Sequence, residues 1–174
     1  MAEQIRAVVI TASDACARGA REDVSGATLA GLLREAGAEI VAREVLPDDL
    51  EPLAEALRRY ADRADVNLVV TTGGTGLAPR DNTPEATRAV IEREAPGVAE
   101  AMRAVTLRQT PTAMLSRGVC GVRSGALIIN LPGSPRAVGE CFEVIRPVLA
   151  HAVALLAGGG PHGGEAAQSS EGEK

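Results

Sequence analysis

The chain has 174 residues, 45% of them apolar, and a formal net charge of −5. That suits one globular domain with a core of its own, and the acidic balance excludes the basic footprint of a DNA-binding protein. Tyr60 and Phe142 are the only aromatic residues, so the stacking rings that single-stranded nucleic-acid binders use are missing. Lysine occurs only at Lys174, which leaves the body of the chain without a phosphate-loop or Schiff-base lysine. His151 and His162 are the only histidines and neither sits in a hydrolase motif. Three cysteines (Cys16, Cys120, Cys141) without a Cys-x-x-Cys pair suggest a reducing compartment. The Ile5–Ala12 apolar run is too short for a signal peptide or a membrane span, so a cytoplasmic protein with no membrane or nucleic-acid partner is expected.

In chain order, Ile5–Ile10 is short, apolar and rich in β-branched residues, as a buried parallel strand requires. Ser25 then stands as a helix cap before Leu29, Leu32, Leu33 and Ala36, with Gly37 as the stop. Glu39–Leu46 reads as a strand. Asp48 with Glu51 resembles a capping box for a helix carrying Leu50, Leu53, Ala54, Leu57 and Ala61. Val66–Thr71 is the next strand, followed by the loop Thr72–Gly76. Thr83-Pro84-Glu85 and Pro96 each open a helix, the second with Val98, Ala101, Met102 and Val105 inward. Gly118–Arg123 and Ala126–Leu131 flank a Ser124-Gly125 turn as a hairpin or adjoining strands. Ser134-Pro135 starts a last helix with the stripe Val138, Cys141, Phe142, Ile145, Val148, Leu149, Ala152 and Leu155, which Pro147 should kink. Gly158–Lys174 has the composition of a disordered tail, leaving residues 1–157 as the domain. Alternating strands and helices predict an α/β fold, a single-domain three-layer sandwich with a mainly parallel sheet and helices on both faces.

Polar and glycine-rich residues follow the predicted strands at Thr11–Asp14, Pro47–Asp49, Gly73–Asp81 and Asn130–Arg136. In an open parallel sheet ligands bind outside the carboxyl ends of the strands, so these segments should share one rim. Gly73, Gly74, Thr75 and Gly76 can bring backbone N–H groups close to an anion, or form only a flexible turn. Asn130 through Pro132, Gly133 and Ser134 is a second candidate cradle, or simply a capped helix start. Taken singly, Asp48 reads as an N-cap, Asp81 as the partner of Arg80, Ser13-Asp14 as a turn, and Arg117 and Arg136 as solvated cations. His151 reads as structural and Cys16 as a filler.

Together these residues resemble a known family. Thr71-Thr72-Gly73-Gly74-Thr75-Gly76 followed by Pro79-Arg80-Asp81-Asn82-Thr83-Pro84-Glu85-Ala86 is similar to the signature of the molybdenum-cofactor biosynthesis domain. Ser116-Arg117 with Gly121, and Ile128-Ile129-Asn130-Leu131-Pro132-Gly133-Ser134-Pro135, resemble its second signature. Thr11-x-Ser13-Asp14 and Pro47-Asp48-Asp49 also match. Asn82 departs from the pattern, which has an apolar residue there. The single-domain length and the segment from Pro96-Gly97 to Ser116-Arg117 resemble the stand-alone molybdopterin adenylyltransferases of that family. The resemblance implies adenylylation of molybdopterin by ATP, releasing pyrophosphate, with Mg²⁺ on Asp81 and Asp48. It places Ser13 and Asp14 near the nucleotide and the glycine loop on phosphates. Ser116, Arg117, Asn130, Pro132 and Ser134 would lie on the pterin side, and Gly133 would be a further substrate-binding residue. It also implies a trimer and a link to the metal-insertion enzyme of the pathway. The alternatives are a pterin-binding module without this catalysis and an unrelated nucleotide-binding domain.

Overall fold

The computed structural model describes residues 3–158. Apart from Gly158, the stretch expected to be a tail lies outside the described residues. The strands are β1 (Arg6–Ala12), β2 (Glu39–Leu46), β3 (Leu68–Thr72), β4 (Arg93–Glu94), β5 (Cys120–Arg123) and β6 (Ala126–Leu131). They form one sheet in the order β2-β1-β3-β6-β5-β4. The β2, β1, β3 and β6 part is parallel, and the hairpin partner β5 and the edge strand β4 are antiparallel. The helices are α1 (Asp14–Ala17), α2 (Val24–Glu35), α3 (Leu50–Ala61), α4 (Thr83–Arg88), α5 (Pro96–Thr106) and α6 (Pro135–Leu156), with a 3₁₀ turn at Pro111–Leu115.

The period-two alternation of the central strands divides the core between the two faces of the sheet. Ala7 and Val9 of β1, Leu68 and Val70 of β3, and Leu127 and Ile129 of β6 pack beneath α2, α5 and α6. Val8, Ile10, Val69 and Ile128 point the other way, against α3 and α4. Strands buried on both faces read as continuous apolar runs, which is why β1, β3 and β6 are apolar almost throughout. The sheet and its two helix layers are the expected three-layer sandwich. No helix among the described residues is long and apolar enough to cross a membrane.

Several local expectations are corrected. The cap of α2 is Asp23, whose carboxylate accepts the Gly26 N–H at 2.9 Å, and not Ser25. The N-cap position of α3 is Asp49, and the Asp48 carboxylate turns away to accept the Asp14 N–H. β3 begins at Leu68 rather than Val66. Pro147 lies inside α6, which continues past it as one element of 22 residues, and the expected kink there is neither borne out nor contradicted. Val148 and Leu155, expected in its buried stripe, are 48% and 47% exposed. They lie with Val98 and Ala101 of α5 along an apolar groove, because the stripe is wider than the face that the sheet covers. His151 is exposed on the same groove.

Candidate active site

The parallel strands β1, β2, β3 and β6 end at one rim of the sheet, so the loops after them converge as the sequence implied. The glycine loop is at the centre. β3 ends in buried Thr72, whose hydroxyl donates to the Pro132 carbonyl at 2.7 Å and ties this loop to the one after β6. Gly73 and Gly74 then take φ of +96° and +63°, conformations that cost a residue with a Cβ about 1–2 kcal/mol each. The turn is pinned from below: the Gly73 N–H donates to Leu131 O at 3.1 Å and the Thr83 hydroxyl donates to Gly73 O at 2.9 Å. Among the described residues the N–H groups of Gly74, Thr75 and Gly76 have no protein acceptor, so the amides that follow the turn remain available to an anion.

Two cavities adjoin this loop. A polar cleft of about 370 Å³ is lined by Ser13, Arg21, Asp48, Gly73, Gly74, Asp81, Gly133 and Ser134. A more enclosed chamber of about 310 Å³ is lined by Thr75, Gly76, Met102, Ser116, Asn130, Pro132 and Ser134, among others. Consecutive residues of the same two loops thus face different cavities, and Ser134, at the N-terminus of α6, borders both. A Cβ on Gly133 would lie 3.1 Å from Gly73 Cα, so the two loops meet where neither carries a side chain.

The acidic residues of the cleft are tightly organised. Asp14 and Asp48 exchange hydrogen bonds: the Asp14 N–H donates to Asp48 Oδ2 at 2.9 Å, and the Asp48 N–H donates to Asp14 Oδ1 at 3.1 Å. Arg80 grips the Asp14 carboxylate through Nε (2.6 Å) and Nη2 (2.8 Å) and reaches Asp49 at 3.0 Å. Hydrogen bonds from Arg80 first, and from the Asp48 N–H, hold the Asp14 carboxyl down to about 2. Asp48 goes the opposite way. Burial raises its pKa, and the neighbouring charges of Asp14 and Asp81 add to the effect. Asp48 Oδ1 would lie 3.1 Å from a Cβ on Gly74, and Asp81 Oδ2 would lie 2.9 Å from one on Gly76, so both carboxylates sit directly against the glycine loop. Asn82 joins their loops by donating to Asp48 O at 2.8 Å, a contact that an apolar side chain could not make.

The remaining site candidates divide by what their side chains touch. Ser13 caps α1, its hydroxyl accepting the Cys16 N–H at 3.3 Å. Ser116, Pro132 and Ser134 border the chamber. The Asn130 side chain is fully committed inside the protein: its amide donates to Thr71 Oγ1 at 3.1 Å and Thr87 Oγ1 at 2.9 Å, and its carbonyl accepts the Val119 N–H at 3.1 Å. Arg117 is not among the residues lining the chamber. Its guanidinium donates to Gly76 O at 2.7 Å, to Asp81 O at 2.6 Å and to the Glu85 carboxylate, clamping the loop that carries Asp81. Arg136 is 82% exposed and pairs with Glu140. Arg80 reaches Asp14 and Asp49 rather than its neighbour Asp81. Arg21 in the cleft and Arg103 in the chamber stood in no motif. Arg103 donates to the Gly118 carbonyl at 3.0 Å.

The described residues contain no cluster of three or more His, Cys, Asp or Glu side chains able to cage a metal. Two carboxylates beside free backbone donors suit a hard cation that keeps waters and shares phosphate oxygens, which is how Mg²⁺ is ordinarily held. Positive charge would also relieve the crowding that disfavours ionised Asp48.

Comparison with known proteins agrees with this geometry. The family model described as "Probable molybdopterin binding domain" matches residues 8–151, which include all the rim loops. The chain is 41% identical over 152 residues to a molybdopterin adenylyltransferase of Helicobacter pylori, covering 86% of each protein. It is 43% identical over 155 residues to the molybdenum cofactor synthesis protein cinnamon of Drosophila melanogaster, covering 88% of this chain but 26% of that larger protein. Among solved structures, the molybdopterin biosynthesis enzyme MoaB of Thermus thermophilus superposes with a TM-score of 0.84 at 48% identity, over 89% of this chain and 98% of that one. The molybdopterin biosynthesis Mog protein of Mycobacterium ulcerans gives 0.82 at 41% identity, over 90% and 99%. Fold, rim and sequence match together make this chain a member of the molybdopterin-binding domain family.

Proposed function

We propose that the protein transfers the adenylyl group of ATP to molybdopterin, releasing pyrophosphate. The observation that carries this reading is the pair of cavities on one glycine loop. The polar cleft has the two carboxylates and, at Gly74, a free backbone amide, which suit a polyphosphate with its cation. The chamber has a mainly apolar wall surface, with polar side chains such as Arg103, Ser116 and Asn130 among its lining residues, which suits a flat heterocycle carrying polar edges. A ligand in each would bring phosphate groups together near Ser134, where the cavities adjoin.

The reaction needs no histidine base. The pterin's terminal phosphate is already an anion at neutral pH. One of its oxygens forms a bond to the α-phosphorus of ATP, the bond from that phosphorus to the bridging oxygen of the β-phosphate breaks, and pyrophosphate leaves with the electron pair. What the protein must provide is in-line positioning and neutralisation of gathered negative charge. Asp48 and Asp81 would hold Mg²⁺, which supplies charge neutralisation on the phosphate oxygens when bound. The amides of Gly74, Thr75 and Gly76 would bind phosphate oxygens. Arg117 and Arg80 keep the loops in register, the first through Asp81 O and the second through Asp14 and Asp49.

The exposed apolar groove between α5 and α6 supports self-association, with a trimer the form implied by family resemblance. We place the protein in the cytoplasm and its product on the way to a metal-insertion enzyme. The decisive test is pyrophosphate release measured with ATP alone, with molybdopterin alone and with both. Release only with both substrates is expected; release from ATP alone, or none with both, overturns the reading.

A further inference from the structure

We propose that Arg21 is a polyphosphate-binding residue of the cleft. The inference rests on the adenylyl-transfer reading and adds to it a residue that belongs to none of the sequence signatures. The charge of the cleft is the starting point. Of its lining residues, Asp48 and Asp81 are anionic and Arg21 is the only cation. A wall with this balance repels a polyanion unless positive charge is brought to it or is already free within it.

Three other arginines near the rim are engaged by protein partners, and Arg18, whose side chain has none among the described residues, does not line the cleft. Arg80 is bound to Asp14 and Asp49. Arg117 is spent on Gly76 O, Asp81 O and Glu85. Arg43, beside the start of α2, is paired with Asp23 at 3.1 Å. Arg21 differs from all of them: it has no carboxylate partner among the described residues, and its hydrogen bond runs from Nη2 to the neutral Ser13 Oγ at 3.1 Å. A guanidinium has five N–H donors in a planar fork that matches phosphate oxygens, so most of its capacity is unspent.

Its placement also suits the task. Arg21 lies on the connector between α1 and α2, and the bond to Ser13 draws its head to the floor of the cleft, beside the residue that follows β1. A short reorientation would exchange the weak neutral acceptor for a charged one. Because its backbone lies outside the glycine loop and outside both carboxylate loops, its removal need not disturb them.

The test is calorimetric titration of the full chain with pyrophosphate, ATP and adenosine in the presence of Mg²⁺, for wild type, Arg21→Gln and Arg21→Lys. Loss of one charge-assisted contact should weaken pyrophosphate and ATP binding by about tenfold to a hundredfold in Arg21→Gln. Arg21→Lys should recover part of this, and adenosine binding and the melting temperature should not change. Wild-type protein that binds ATP and pyrophosphate while Arg21→Gln binds them equally well overturns the role of Arg21 and leaves the function standing. Wild-type protein that binds neither overturns both.

Discussion

Replacing Gly73 by alanine should damage the site and the fold together, by an amount that the geometry sets. The new Cβ would fall 2.3 Å from the carbonyl oxygen of Ala12, where contacts under 3.0 Å essentially never occur, so something must move by at least 3.0 − 2.3 = 0.7 Å. The obstacle is backbone at the end of a central strand, held by the pairing of β1 with β2 and β3, and cannot rotate away as a side chain would. The φ of +96° adds about 1–2 kcal/mol, and forced displacement in a packed region adds about 1–3 kcal/mol. At about 2–4 °C per kcal/mol for a domain of this size, the combined cost of about 2–5 kcal/mol should lower melting by roughly 4–20 °C. Any folded population should lose about a hundredfold in turnover, the usual effect of a displacement near 1 Å at a reacting centre. Gly31→Ala is the control, because a Cβ there meets nothing within 4 Å and the residue lies inside α2; it should leave stability unchanged or raise it by about 0.5–1 kcal/mol. Urea or thermal denaturation of both variants gives the answer. Gly73→Ala as stable as wild type would refute the claim that this turn is sterically fixed against β1.

Other consequences can be tested in parallel. Asp81→Asn should cut pyrophosphate release by more than tenfold while molybdopterin binding, followed by equilibrium titration, stays near wild type. Asn130→Leu should lower unfolding free energy by about 2–4 kcal/mol, because it strands the Val119 N–H and the Thr71 hydroxyl in a buried place and removes a donor to Thr87 Oγ1; chemical denaturation measures it. Burial pushes the Cys120 thiol up to about 12 and the Cys141 thiol up to about 11. At pH 8 only about one in ten thousand and one in a thousand of these would be thiolate even if reagent could reach them. Iodoacetamide followed by mass spectrometry should therefore modify only the half-buried Cys16 in native protein, and all three cysteines after denaturation.

The fold was legible where burial is two-sided. Val8 to Ile10, Leu68 to Val70 and Ile128 to Ile129 can only be central strands, and their polar sequels had to fall on one rim. Elements that bury little carry no such signal: Arg93–Glu94 is an exposed two-residue edge strand, and Asp14–Ala17 has no buried residue. Asp48 was misread as a cap because its spacing from Glu51 is that of a capping box, while the competing acceptor role toward the Asp14 N–H lies 34 residues away. For Asn130 and Arg117 the motif gave the neighbourhood and not the direction of the side chain, since Thr71, Thr87 and Glu85 claim them through tertiary contacts. Arg21 belongs to no pattern, and only the arrangement of charges in three dimensions singles it out.

The exchange of hydrogen bonds between Asp14 and Asp48 sets the work of the protein against its durability. Two acids are locked face to face, one of them partly withdrawn from water and resisting ionisation. At neutral pH the ionised Asp48 carries that discomfort as a standing burden on the folded state. An Asp48→Asn chain, crippled for its task, should then outlast the native one on heating, and the cargo that the native site accepts should close the difference.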